Sequence, residues 1–202
     1  IDEVVLLPPL TPDELHSAVI GPRIAQIEKQ SSRSFSLHSF QLAMAEQGPR
    51  ALLLAACGAG KTLGAWKWAE TRAREQPIGR VVFLYPTRGT ATEGFRDYVA
   101  AAPEGEAALV HGTSKYEIES MLENPADEAK ARQHGLSEAE QRLFGLGLWP
   151  RRYFSATVDQ FLGFLEHAYG SMCLLPVLAD AAVIIDEVHS FDKHMFERLL
   201  AA

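Results

Sequence analysis

The sequence predicts an α/β fold built on a mainly parallel sheet. Three observations carry this. Short apolar runs such as "RVVFLY" (80–85) and "AAVII" (181–185) alternate with stretches of helical periodicity. The apolar runs do not alternate with polar residues, as befits strands covered on both faces. Glycine or proline closes most of the segments, for example Gly48-Pro49 and Pro86.

The elements follow in order. "LLPPLTPDELHSAV" carries a helix start, with Thr11 as cap, Pro12 in the first helical position and Glu14 placed for a capping box. Gly21-Pro22 is expected to interrupt before "RIAQIEKQ" turns helical again, and "SFSLHSFQLAMAEQG" reads as a short amphipathic helix. "ALLLAA" (51–56) is expected to be a buried parallel strand, and "TLGAWKWAETRARE" a helix. "RVVFLY" is a second strand, "GTATEGFRDYVAAA" a helix weakened by Gly94, and "AALVHG" (107–112) a third strand. The polar stretch 113–150 reads as an insertion with a short helix near 137–143. "RRYFSAT" is a strand, "VDQFLGFLEHAYG" a helix, "AAVIIDE" (181–187) the last strand and "KHMFERLLAA" the start of a closing helix.

Composition narrows the class. A chain of 202 residues that is 47% hydrophobic and 22% charged is long enough for a real core. The net charge of -7 argues against a surface basic throughout and requires any nucleic-acid track to be local. The two cysteines, Cys57 and Cys173, make no disulfide framework, which points to a reducing, cytoplasmic setting. No apolar run is long enough to span a bilayer, so no membrane partner is expected.

Two motifs carry chemistry. Ala55, four intervening residues and Gly60-Lys61-Thr62 fit a phosphate-binding loop with alanine for its first glycine. In the segment Cys57-Gly58-Ala59-Gly60-Lys61-Thr62, the glycines let successive N–H groups turn inward, and the following helix points its positive end at the same spot. Lys61 would reach the β- and γ-phosphates of ATP, and the Thr62 hydroxyl would ligate Mg²⁺. The second motif is Asp186-Glu187 at the end of an apolar strand, the Walker B arrangement. There Asp186 would hold the cation through water and Glu187 would polarise the attacking water. Sheet ligands bind at the carboxyl ends of parallel strands, so corner and strand end should meet across one ATP–Mg²⁺.

Asp186-Glu187-Val188-His189 resembles the Asp-Glu-x-His box of superfamily 2 helicases. The resemblance assigns further residues. Gln41 sits where a glutamine would read adenine, or is a surface helix residue; Thr87 and Arg88, after the second strand, resemble a motif that touches the nucleic-acid backbone. His111 is a backbone contact or part of a strand-end turn, and Thr157 holds a phosphate at a helix start or simply caps that helix. His189 senses a neighbouring domain, or is a capping or core histidine.

Together "YPTRGTATEGF", "SATVDQFLGF" and "IIDEVHSFDKHM" are similar to the CRISPR-associated signature helicase–nuclease of type I systems. The resemblance implies a RecA-like domain that uses ATP and Mg²⁺ to move on single-stranded DNA opened by a guide-RNA surveillance complex. It implies two partners as well: a second RecA-like domain with arginine fingers, and a nuclease built on a His-Asp dipeptide. The seven histidines include no His-Asp pair, so that nuclease is expected elsewhere in cis or in trans. The expected organisation is a helical N-terminal extension (1–34) and a first RecA-like domain (35–202), with little hydrolysis by the chain on its own. Competing readings are another superfamily 2 helicase or restriction-type translocase, and a nucleotide-binding switch.

Overall fold

The computed structural model describes residues 7–103, 107–110, 151–163 and 180–201. His111, the 113–150 insertion and the helix expected near 137–143 lie outside them. The described elements are α1 (Pro12–Leu15), α2 (Gly21–Ser31), α3 (Ser39–Ala45), α4 (Lys61–Glu75), β1 (Arg80–Tyr85), α5 (Arg88–Gly94), β2 (Ala107–Val110), β3 (Tyr153–Thr157), α6 (Val158–Gly163), β4 (Ala181–Ile185) and α7 (Lys193–Ala201).

The four strands form one all-parallel sheet in the order β2-β3-β1-β4. The architecture is the α/β arrangement predicted, of RecA-like type. Helices cover both faces. Val81, Phe83 and Tyr85 point to one face, where they join Leu63, Trp66 and Ala69 of α4 and the N-terminal Leu15, Val19 and Ile20. Val82 and Leu84 point to the other, with Phe154, Ala156 and Leu162, against which Met195 and Leu199 of α7 pack. This is the period-2 alternation of a strand buried on both sides.

The first helix starts as its sequence requires. The Glu14 N–H donates to the Thr11 hydroxyl at 3.1 Å, and the Thr11 N–H donates to Glu14 Oε2 at 2.7 Å, closing a capping box. The Thr11 N–H and the Thr11 hydroxyl, both donating to Glu14 Oε2, hold the Glu14 carboxyl below the usual carboxylate range.

Two expectations need correction. Gly21-Pro22 does not interrupt the helix. A π-helical turn over His16–Ile20 joins α1 to α2, and the Gly21 N–H reaches back to the His16 carbonyl. Pro22 thereby falls in the first turn of α2, where its missing N–H and fixed φ do no harm. The second correction concerns "ALLLAA". It is irregular rather than a strand, with Leu52 75% and Leu54 84% exposed. A strand exists only by pairing, and among the described residues β4 forms the sheet edge with no neighbour on its outer side. Apolar composition cannot reveal whether a partner strand is present.

The helix expected after Arg88 forms as α5 and continues through a π-helical turn over Phe95–Val99. Gly94 is there for a packing reason: a Cβ at that position would meet the Tyr85 hydroxyl and ring.

Candidate nucleotide site

The candidate site lies where the carboxyl ends of β1 and β4 meet the start of α4. The loop ahead of α4 turns on two glycines in the left-handed region, Gly58 (φ 75) and Gly60 (φ 86). The Ala59 N–H bonds the Ala56 carbonyl at 3.2 Å, and the first helical bond runs from the Gly64 N–H to the Gly60 carbonyl at 3.3 Å. Helix geometry leaves the amides ahead of Gly64 for a ligand, at the positive end of a 15-residue helix. Cys57 is exposed at the tip. Lys61 Nζ donates to the Ala55 and Ala56 carbonyls, both at 3.3 Å, and so folds over its own loop.

Gln41 is 1% exposed and spans the loop base. Its Oε1 accepts the His38 N–H and its Nε2 donates to the Gly60 carbonyl, both at 2.8 Å. Of the two expectations for Gln41, the surface helix glutamine does not hold: the side chain is buried against the glycine loop ahead of α4.

The opposite wall comes from β4. The Asp186 N–H bonds the Leu84 carbonyl at 2.9 Å, which fixes Asp186 just past the strand. Its Oδ2 accepts from the Thr62 hydroxyl at 3.4 Å, and its Oδ1 accepts the Glu187 N–H at 2.8 Å. Glu187 sits in the left-handed region (φ 52), unusual for a residue with a side chain. A single 3-10 turn, Val188–Ser190, follows. His189 is exposed on it, with Nδ1 3.2 Å from Glu187 Oε2, so it is not a core histidine.

Thr62 and Asp186 suit a hard cation: two oxygen donors, with water and phosphate left to complete the shell, are how Mg²⁺ is commonly held. No group of three or more His, Cys, Asp or Glu able to cage a metal occurs among the described residues.

Three further residues were given no role from sequence, although Tyr85 opens the quoted segment "YPTRGTATEGF". Tyr85 ends β1, and burial, with the Asp186 charge second, pushes its hydroxyl far above the usual range. Tyr98 stacks on Trp66 with centroids 6.4 Å apart. Arg23 of α2 lies 4.9 Å over the Tyr98 ring and pairs with Asp97 at 3.2 Å. Only the aromatic content of "FRDYV" hinted at packing there.

The residues expected to meet nucleic acid sit elsewhere on the same sheet end. Thr87 caps α5, its hydroxyl accepting the Thr90 N–H at 3.2 Å, and Arg88 beside it is exposed. Thr157 ends β3 and is 4% exposed, so its side chain faces inward and only the start of α6 is presented.

Two curated proteins match the sequence. One, from Myxococcus xanthus (strain DK1622), is described as a candidate CRISPR-associated nuclease/helicase Cas3; identity is 38% over 155 residues, covering 75% of this chain and 19% of that protein. The chain is Cas3-like. A second protein with the same description, from Methanocaldococcus jannaschii, is 25% identical over 150 residues, covering 74% of this chain and 20% of its own length. The Cas3-like chain thus spans about a fifth of the length of the curated relatives it matches. No family model matches it, and no solved structure does. No described helix is long and apolar enough to cross a membrane.

Proposed function

We propose that the chain is the ATP-binding motor domain of a superfamily 2 DNA translocase serving a type I CRISPR interference system. The observation that carries this is the meeting of Thr62 and Asp186, from two motifs far apart in sequence, at one corner of the sheet. In this reading ATP lies against Gly58–Thr62. Lys61 exchanges its two loop carbonyls for the β- and γ-phosphates, and Glu187 accepts a proton from the attacking water. Thr62 and Asp186 hold Mg²⁺, which when bound neutralises charge on the phosphates. His189, paired with Glu187 at the surface, faces the side on which a second RecA-like domain would bring arginine fingers. Gln41 acts through the Gly60 carbonyl, bracing the glycine loop ahead of α4.

Single-stranded DNA runs past Thr87 and Arg88, with His111 and the α6 amides after Thr157 adding backbone contacts. Residues 35–202 belong to the first RecA-like domain, with 1–34 as its helical N-terminal extension. The His-Asp nuclease and the guide-RNA surveillance complex act in cis or in trans with it.

The test is ATP turnover by the full-length protein, with and without single-stranded DNA. Stimulation by DNA that is lost in Asp186→Asn supports the motor. Turnover indifferent to any nucleic acid favours a switch, and stimulation by RNA alone favours another superfamily 2 helicase.

A further inference from the structure

Ser155 stands in the middle of β3 and is fully buried, where a strand covered on both faces ordinarily carries an apolar side chain. Its register partner on β1 is Phe83, and that of Thr157 is Tyr85, so Ser155 and Tyr85 point to the same face of the sheet. α5 lies on that face, with Ala91 buried in one cluster with Phe83 and Tyr85. The Ser155 hydroxyl donates to the Ala91 carbonyl at 2.5 Å. One turn further on, Gly94 lets the helix close on Tyr85, whose ring a Cβ would meet.

Arg88, Ala91 and Gly94 are spaced by three and form one row along α5. The row is tied to β3 at Ala91 and seated on β1 at Gly94, and its first member, Arg88, is exposed. The Ala91 carbonyl already accepts the Phe95 N–H, so the Ser155 hydroxyl does not rescue an orphaned helix carbonyl. An alanine at 155 would bury no polar group and leave none unpaired. The fold therefore does not require this hydroxyl. What it adds is direction: apolar contact lets a short helix roll or slide on a sheet, whereas a hydrogen bond fixes both distance and angle.

We infer that Ser155 is a positioning residue: by holding the Ala91 carbonyl it sets α5 on the sheet so that Arg88 meets the backbone of single-stranded DNA. The inference rests on the reading of Arg88 given above. It deepens that reading by naming the strand that sets the height and rotation of the helix behind Arg88. It also joins the two segments assigned to DNA, because Ser155 lies two residues ahead of Thr157 on the same strand.

The experiment is a double-mutant cycle on the full-length protein, read by fluorescence anisotropy with a labelled oligothymidylate, and with a fluorescent ATP analogue as control. Ser155→Ala should weaken oligothymidylate binding about three- to tenfold, the range of one neutral hydrogen bond, and leave the ATP analogue unaffected. In an Arg88→Ala background the same substitution should cost less than about twofold, because the two residues act through one helix. Ser155→Cys keeps a side chain of similar size but donates weakly, so it should fall with Ser155→Ala. Wild-type binding by Ser155→Cys would show that volume and not the hydroxyl matters, and overturns the proposal. Full additivity of Ser155→Ala and Arg88→Ala overturns it, as does unchanged DNA binding in Ser155→Ala while Arg88→Ala weakens it. Parallel loss of DNA and ATP-analogue binding shows a merely structural serine and overturns it too. If Arg88→Ala itself leaves DNA binding unchanged, the functional reading of Arg88 fails first and the proposal falls with it.

Discussion

The Thr62 hydroxyl donates to the Asp186 carboxylate across 3.4 Å, joining residues 124 positions apart in sequence. Each is held from behind by backbone: Thr62 by the first turn of α4, Asp186 by the Leu84 carbonyl. In the proposed reading, the contact sets a hydroxyl and a carboxylate side by side as oxygen ligands for Mg²⁺.

Lys61 stands beside this pair with its ammonium on the Ala55 and Ala56 carbonyls. Lys61→Ala should weaken ATP binding by about 1.5–3 kcal/mol, the range for a hydrogen bond to a charged group. Calorimetry on the full-length protein checks this, and unchanged affinity would remove Lys61 from the phosphates.

Glu187 combines a charged side chain with a left-handed backbone. Glu187→Gln should retain ATP binding and lose turnover, because an amide cannot accept the proton. Glu187→Gly should lose turnover too, yet unfold later, since glycine relieves a conformation that costs other residues about 1–2 kcal/mol. A lower thermal midpoint in Glu187→Gly would show that the carboxylate contributes more to the fold than its backbone costs.

Arg88 is exposed beside the Thr87 cap at the carboxyl end of β1. Arg88→Ala should weaken single-stranded DNA binding by a similar factor for every sequence tested. It should also flatten the salt dependence by about one phosphate contact. Fluorescence anisotropy over a salt series measures both, and a loss confined to one base composition would contradict a backbone role.

Gly94 lies under the Tyr85 ring. Gly94→Ala should destabilise by about 1–3 kcal/mol, the cost of overpacking, because ring and helix must separate. In a Tyr85→Leu background the same substitution should cost less, since the two sites are in contact. Equal costs in both backgrounds, read from thermal midpoints, would mean that the ring is not what Gly94 accommodates.

What was legible from sequence alone was local. The capping box at Thr11 and Glu14 formed because its partners lie three residues apart. The parallel strands β1 and β4 formed where largely apolar runs stood between turn signals, since such runs are soluble only when covered on both faces. The phosphate loop and Asp186-Glu187 could be read as motifs because a tight turn and a strand end restrict residue type at fixed spacing. Tertiary structure decided the rest. It left "ALLLAA" outside the sheet, because a strand needs a neighbour that composition does not encode. It carried the helix through Gly21-Pro22, because a widened turn moved the proline to where no donor is needed. It turned Gln41 onto the Gly60 carbonyl, stacked Tyr98 on Trp66 and laid Arg23 over the Tyr98 ring. These last contacts join separate elements, and no periodicity in the chain records which helix will cross which strand.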